Sequence, residues 1–161
     1  MNYYKSIFPV LTSSDGIAYE IYLAGCHGYC KGCHSKHTWD FKAGKPFIDV
    51  KDKLIKDMLE KEAFFDNIVI LGGEPLDHEQ LPLMLQLLGS CFPNKKIYLY
   101  THFDAITINQ NFKNIKKLVD YIKLGDYDDR FINTENKPDS LTGVTLATTN
   151  QYFIKGSRKH G

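Results

Sequence analysis

Three cysteines lie within a stretch of eight residues, at Cys26, Cys30 and Cys33, and a fourth, Cys91, stands far from them. Their spacing is C-x3-C-x2-C, so that three thiolates on one tight loop can hold three corners of an iron–sulfur cube. A complete cluster normally takes four cysteines, and the missing one would leave one iron without a protein ligand. An open coordination position is what a catalytic metal centre needs and a structural one lacks. We therefore expect the chemistry of this chain to reside in this loop.

Zinc is the alternative occupant of the same loop, because His27, His34 or His37 would supply a fourth ligand. Zinc sites that use C-x2-C usually carry a second ligand pair about 12–20 residues further on. Here no cysteine follows Cys33 before Cys91. This spacing favours a cluster, and a zinc-binding interaction module without catalysis stays as the alternative. Cys91 itself is expected to be a small buried apolar residue.

The segments around the loop alternate between strand and helix patterns. The predicted strands are 18–24, 67–71, 96–101, 121–124 and 151–155, and the predicted helices are 49–62, 79–88 and 112–119. Such alternation is typical of βαβ units and a mainly parallel sheet. At 161 residues the chain is shorter than the roughly 250 residues of a complete eight-fold barrel. The expected fold class is therefore α/β, an open partial (βα) barrel that forms a single domain over residues 1–161, with a flexible tail at about 156–161.

The carboxyl ends of the predicted strands carry the residues that would meet a ligand, since ligand sites in such folds lie at that edge. The cysteine loop follows the 18–24 strand directly. Gly72, Gly73 and Glu74 follow the 67–71 strand, and Thr101, with His102 beside it, ends the 96–101 strand. These residues are expected to line the opening of one ligand site.

Composition excludes several other classes of protein. Apolar residues make up 43% of the chain and aromatic residues 13%, which is enough for a folded core. The net charge of +1 argues against a protein that coats nucleic acid. No apolar run approaches the roughly 20 residues of a membrane helix, and the N-terminus lacks the apolar core of a signal peptide. We expect a cytoplasmic protein without nucleic-acid or membrane partners.

The combination of these motifs resembles the radical S-adenosylmethionine enzymes. More narrowly, it resembles the anaerobic ribonucleoside-triphosphate reductase-activating proteins. The segments that carry the resemblance are Gly25-Cys26-x3-Cys30-x-Gly32-Cys33, Thr38-Trp39 and Gly72-Gly73-Glu74-Pro75-Leu76.

The resemblance implies that Cys26, Cys30 and Cys33 ligate a [4Fe–4S] cluster whose fourth iron is chelated by S-adenosylmethionine. It implies no catalytic side chain beyond the cluster and the cofactor. The implied cofactor-binding residues are Gly32, Cys33, His34, Gly72, Gly73, Glu74 and Thr101. Among these, Gly73 would offer its backbone to the methionine end of the cofactor, and Glu74 would face the cofactor's ammonium group.

The activity that the resemblance implies is the reductive cleavage of S-adenosylmethionine and the formation of a glycyl radical on the large subunit of an anaerobic ribonucleotide reductase. A small reducing protein would be the electron donor. The alternative within the same superfamily is an enzyme that acts on a metabolite, such as a carboxy-deazaguanine synthase. Those enzymes usually have an aromatic residue just before the third cysteine, where this chain has Gly32.

Overall fold

A computed structural model describes residues 1–28 and 30–160 of the chain. Tyr29, within the cysteine loop, and Gly161, at the end of the predicted tail, lie outside the described residues. In the described part, the strands are β1 Asn2–Val10, β2 Ala18–Ala24, β3 Lys45–Pro46, β4 Asn67–Gly72, β5 Lys96–Tyr100, β6 Tyr121–Leu124 and β7 Tyr152–Lys155. The helices of the same part are α1 Phe47–Glu60, α2 Leu81–Cys91, α3 Ala105–Asn111 and α4 Lys113–Lys116.

The strands form a seven-stranded sheet in the order β3-β1-β2-β4-β5-β6-β7, across residues 1–28 and 30–160. The four central strands β2, β4, β5 and β6 are parallel. The flanking pairs β1–β2, β1–β3 and β6–β7 are antiparallel. The α/β class and the parallel core are confirmed. The sheet is open, and the partial-barrel shape expected from the sequence stays a prediction.

The first helix begins earlier than the sequence pattern predicts. α1 begins at Phe47, two residues before the predicted start, so Asp49 lies in its first turn, near the positive end of the helix dipole. β1 was not predicted, because its aromatic and lysine residues lack a clear alternation. It nevertheless pairs with β2 over most of its length.

Two further boundaries differ from the prediction. α2 continues through Gly89 to Cys91, since its apolar face remains packed beyond the glycine. The helix predicted at 112–119 is shorter, α4 at Lys113–Lys116, and it follows a helix that was not predicted, α3 at Ala105–Asn111. Asp104 begins α3 by accepting a 2.8 Å hydrogen bond from the Thr107 amide, which is an N-cap that the prediction missed.

Each parallel strand divides its side chains between two faces of the sheet, because successive residues point to opposite sides. One face packs against the helices, as Ile21, Ile70 and Leu99 do. Ala18, Val69, Tyr98 and Phe153 pack together on the opposite face, where Val144 and Leu146 of the 139–149 segment cover them. By the same alternation, Glu20 of β2 and Lys123 of β6 belong to this second face.

Residues 156–160, predicted to be part of a flexible tail, run along the protein surface and make several hydrogen bonds. The Gly156 amide donates to the Asp120 carbonyl at 2.8 Å, and the Ser157 amide donates to the Lys116 carbonyl at 2.7 Å. The flexibility of the tail stays a prediction. Among the described residues, no helix combines the length and apolarity that crossing a membrane requires.

Candidate iron–sulfur site

The cysteine loop leaves the end of β2 and is held there by backbone hydrogen bonds. The Gly25 amide donates to the Thr38 carbonyl at 2.6 Å, and the Cys26 amide donates to the Trp39 carbonyl at 3.2 Å. On its other side, the Gly25 carbonyl accepts a 2.8 Å hydrogen bond from the Glu74 amide. Gly25 has φ +106°, a conformation that glycine adopts without strain. The Thr38-Trp39 and Gly-Gly-Glu-Pro segments therefore fix the start of the loop.

Two of the three cysteine sulfurs accept a hydrogen bond from the backbone amide two residues further along the chain. The amide of Gly28 lies 3.2 Å from Cys26 Sγ, and the amide of Ser35 lies 3.4 Å from Cys33 Sγ. Cys26 is buried, whereas Cys30 and Cys33 are half-buried. Hydrogen bonds to the sulfurs are a common feature of iron–sulfur ligands, because they stabilise the thiolate charge.

Cys30 has an electrostatic environment that opposes ionisation in the metal-free protein. Burial raises the pKa of its thiol, and the negative charge of Asp126, whose Oδ1 lies 3.8 Å from the sulfur, raises it further. The neighbouring Cys33 and Cys26 act in the same direction. Because only a thiolate ligates a metal, a positively charged metal group is what would bring these three sulfurs into their ligating form.

The arrangement of the three cysteines bears on the choice between an iron–sulfur cluster and a single zinc ion. Cys26, Cys30 and Cys33 line the same cavity, of about 370 Å³. In residues 1–28 and 30–160, no three His, Cys, Asp or Glu side chains converge closely enough to hold one metal ion. A tetrahedral zinc would need sulfurs about 3.8 Å apart, given Zn–S bonds of about 2.3 Å. Among the described residues, the three cysteines therefore share one cavity without forming a ready-made site for a single metal ion.

Glu74 is almost completely buried, at 1% exposure. One carboxylate oxygen accepts a 3.0 Å hydrogen bond from the Leu76 amide, and the other accepts a 2.8 Å hydrogen bond from the His102 amide. Burial raises the pKa of the Glu74 carboxyl above its usual value. The carboxylate thus joins the ends of β4 and β5. Its predicted contact with a cofactor ammonium stays a prediction.

The two glycines before Glu74 are required by the approach of two backbone segments. A Cβ atom on Gly73 would lie 2.1 Å from the Gly25 carbonyl oxygen, and one on Gly72 would lie 2.4 Å from the Leu23 carbonyl oxygen. Gly72 also has φ +122°. The sequence signal at these positions therefore has a structural cause within the chain. Their predicted contacts with a cofactor stay predictions.

The remaining predicted residues lie around the same cavity. Thr101 is buried, and its amide donates to the Lys123 carbonyl at 2.9 Å. The His34 ring lies 4.9 Å, centroid to centroid, from the Tyr127 ring. Of the predicted metal- and cofactor-binding residues, Gly32 is the one absent from the cavity lining among the described residues. It has φ +74° and provides a turn between Cys30 and Cys33.

The sequence interpretation missed two charged residues in the cavity wall, Glu20 and Lys123. Both are buried, at 5% and 8% exposure respectively. Burial lowers the pKa of Lys123 to about 8. Glu20 lies inside the predicted strand 18–24 and Lys123 inside the predicted strand 121–124, but neither was assigned to a site.

The comparisons with known proteins agree with this geometry. Residues 13–150 match the 4Fe-4S single cluster domain family, and the chain belongs to that family. The chain is 27% identical over 130 residues to the anaerobic ribonucleoside-triphosphate reductase-activating protein of Salmonella typhi, covering 77% of this chain and 84% of the relative. The protein of the same name from Escherichia coli (strain K12) is 27% identical over 133 residues, covering 79% of this chain and 85% of the relative. The resemblance drawn from the motifs is confirmed.

A second, shorter match is to a relative with a different name. The 7-carboxy-7-deazaguanine synthase of Synechocystis sp. is 36% identical over 70 residues, covering 44% of this chain and 32% of that relative.

Proposed function

We propose that this protein activates an anaerobic ribonucleotide reductase by generating a glycyl radical on its large subunit. Cys26, Cys30 and Cys33 would ligate a [4Fe–4S] cluster, and S-adenosylmethionine would bind the iron that lacks a cysteine. The observation that carries the proposal is that the three cysteines line one cavity at the carboxyl ends of the parallel strands. The relatives that match over most of both chains bear the name of such activating proteins.

The residues of the cavity fit a cluster and a small zwitterionic cofactor. Three thiol groups supply soft ligands, which iron–sulfur clusters prefer. The cavity, of about 370 Å³, falls within the size range of small-molecule sites. Its wall offers both signs of charge, in Glu20 and Lys123. Gly32, His34 and Thr101 remain proposed cofactor contacts, together with the segment 72–74.

When bound, the cluster and S-adenosylmethionine would supply a one-electron reductive cleavage that no side chain can perform, and with it the radical that removes a hydrogen atom from the partner's glycine. The chain itself holds the three cysteines on one loop. The buried Glu74 keeps the ends of β4 and β5 together around the cavity. The sheet and the covering segment 139–149 would limit the access of water to the reacting groups.

The test is anaerobic reconstitution of the full chain with iron and sulfide, followed by electron paramagnetic resonance of the reduced protein with and without S-adenosylmethionine. We expect about four irons and four acid-labile sulfides per chain and a reduced-cluster signal that changes when the cofactor is added. The Cys30→Ala variant should lose that signal. Cys91→Ala, which removes the cysteine outside the loop, is the matched control and should keep it.

Three outcomes would contradict the proposal in different ways. One tightly held zinc without iron or sulfide would favour the interaction module. A cluster signal that does not respond to S-adenosylmethionine would leave a structural or electron-carrying cluster. Cofactor turnover that depends on a small metabolite, with no partner protein present, would favour the enzyme class of the Synechocystis relative.

A further inference from the structure

Lys123 is a buried cation in the wall of the cavity that contains the three cysteines. It lies on β6 opposite Tyr100 of β5, one residue before the end of the strand. Its Nζ lies 5.5 Å from the centre of the Tyr100 ring, an arrangement that favours a cation over the ring face. The side chain is therefore held in the cavity wall near the end of β6, on the side of the sheet from which the cysteine loop leaves.

The ammonium group of Lys123 has a single hydrogen-bond acceptor among the described residues. Nζ donates to the Gly125 carbonyl at 3.2 Å. An ammonium carries three donors, so two remain available. In residues 1–28 and 30–160, no carboxylate oxygen lies within the 4.0 Å that defines an ion pair with this lysine.

The carboxylates that act on Lys123 have other partners. The negative charges of Glu74 and Asp126 favour the charged form of Lys123, and Cys30 and Cys33 act in the same direction. Both oxygens of Glu74 accept backbone hydrogen bonds, from Leu76 and His102. Asp126 Oδ1 lies 3.1 Å from His102 Nδ1. In the part of the chain that the structure describes, Lys123 is thus a desolvated cation in the cavity wall with no carboxylate in ion-pair contact.

Burying an unpaired charge costs free energy. A buried ammonium group in a cavity wall is therefore a candidate binding group for a ligand of opposite charge. S-adenosylmethionine has one negatively charged group, the carboxylate of its methionine part. Its ammonium and sulfonium groups would both be repelled by a lysine. Accepting the function proposed above, we propose that Lys123 binds this carboxylate and so selects for a cofactor that carries it.

The experiment measures the binding of two ligands to the reconstituted protein with its cluster oxidised, so that no turnover occurs. The ligands are S-adenosylmethionine and its decarboxylated analogue, which lacks only the carboxylate. Binding is measured by equilibrium dialysis for the parent, for Lys123→Met and for Lys31→Met. Lys31 is an exposed lysine of the cysteine loop and serves as the matched control for charge in that region.

We expect Lys123→Met to weaken binding of S-adenosylmethionine about 10- to 100-fold, which is the effect of losing a hydrogen-bonded charge pair. Its affinity for the decarboxylated analogue should remain within twofold of the parent's, and Lys31→Met should change neither. The analogue also lacks an iron ligand, so the comparison is made between proteins for each ligand separately. Iron and sulfide content confirms that each variant carries a full cluster. If Lys123→Met does not retain one, Lys123→Gln replaces it with the same expected pattern.

Two results would overturn the assignment of Lys123 while leaving the proposed function intact. The first is a parent that binds S-adenosylmethionine and a variant that binds it equally well. The second is an equal loss of affinity for both ligands, which would mean that the lysine acts on the cavity or the cluster rather than on the carboxylate. A parent that binds neither ligand would instead refute the proposed function, and the role of Lys123 with it.

Discussion

The carboxylate of Glu74 accepts a 2.8 Å hydrogen bond from the backbone N–H of His102, which joins the loop after β4 to the loop after β5. The other carboxylate oxygen accepts a 3.0 Å hydrogen bond from the Leu76 amide in its own loop. A single side chain therefore fixes two adjacent walls of the cavity through the backbone. The glutamate of the Gly-Gly-Glu-Pro segment has a structural role in the chain before any ligand is considered.

Replacing Glu74 by alanine should destabilise the protein by about 2–4 kcal/mol, because two backbone amides lose their acceptor at a buried position. Glu74→Gln keeps one carbonyl oxygen and should cost roughly half as much. Urea unfolding of the metal-free protein measures both variants. Glu79→Ala removes an exposed glutamate nearby and is the control, with an expected change below about 0.5 kcal/mol. Equal stability of the parent and Glu74→Ala would show that the two hydrogen bonds contribute nothing.

Much of the sheet could be predicted from the sequence because its central strands are buried on both faces. Val69 and Ile70 of β4 and Ile122 of β6 are fully buried, and such runs have a distinct composition. The cysteine motif and the Gly-Gly-Glu-Pro motif were predictable for another reason. They depend on residue types at short spacing, and the fold places both at the strand ends.

Gly73→Ala tests whether the second glycine of that motif is required by the chain itself. The added Cβ would lie 2.1 Å from the Gly25 carbonyl oxygen, and a clash with backbone cannot be relieved by rotating a side chain. We expect a loss of about 2–3 kcal/mol in the free energy of unfolding, or a failure to fold.

The control for Gly73→Ala is Gly143→Ala. Gly143 has φ +75°, but nothing lies within 4 Å of its added Cβ, so the cost should be limited to about 1–2 kcal/mol of backbone strain. Urea unfolding compares the two variants. If Gly73→Ala proves no less stable than Gly143→Ala, the approach of the two loops is not what requires a glycine at this position.

Arg158 offers a test of the contacts made by residues 156–160. Its side chain, 8% exposed, pairs with Asp120 at 3.1 Å and donates to the Lys95 carbonyl at 2.6 Å. Arg158→Ala would leave the half-buried Asp120 carboxylate with fewer partners, and it should lower the free energy of unfolding by about 3 kcal/mol. Lys159→Ala, at the exposed neighbouring position, is the control and should stay within about 0.5 kcal/mol of the parent. A near-neutral Arg158→Ala would show that these contacts do not stabilise the fold.

The contacts that the sequence could not predict depend on long-range geometry. Arg158 reaches the carbonyls of Gly89 and Phe92, which lie 69 and 66 residues away along the chain. No local pattern marks such a residue, and a basic C-terminal segment alone is typical of a frayed end. Lys123 and Glu20 were missed for a related reason. Strand alternation gives the face of each side chain, but whether that face borders a cavity depends on the 139–149 segment, whose path is irregular.

The burial of Lys123 leads us to predict that the free energy of unfolding depends on pH. Burial lowers its pKa to about 8, from 10.5 in an exposed lysine. Between these two values the unfolded chain binds a proton that the folded protein does not bind. The free energy of unfolding should therefore rise as the pH increases from about 8 to 10.5, since the cost of burying the charge is relieved.

The variant that tests this dependence is Lys123→Met, which has no charge to bury. In the metal-free protein it should be more stable than the parent at pH 7 by about 3 kcal/mol, at roughly 1.4 kcal/mol per pKa unit. The difference between variant and parent should shrink towards zero as the pH rises to 10.5, and urea unfolding at a series of pH values measures it. Lys96→Met is the control of opposite sign, because the hydrogen bond to Asp15 raises the pKa of Lys96. Lys96→Met should be less stable than the parent at pH 7. A difference between Lys123→Met and the parent that does not change with pH would mean that Lys123 has the same pKa in the folded and unfolded states, and that burial does not penalise its charge.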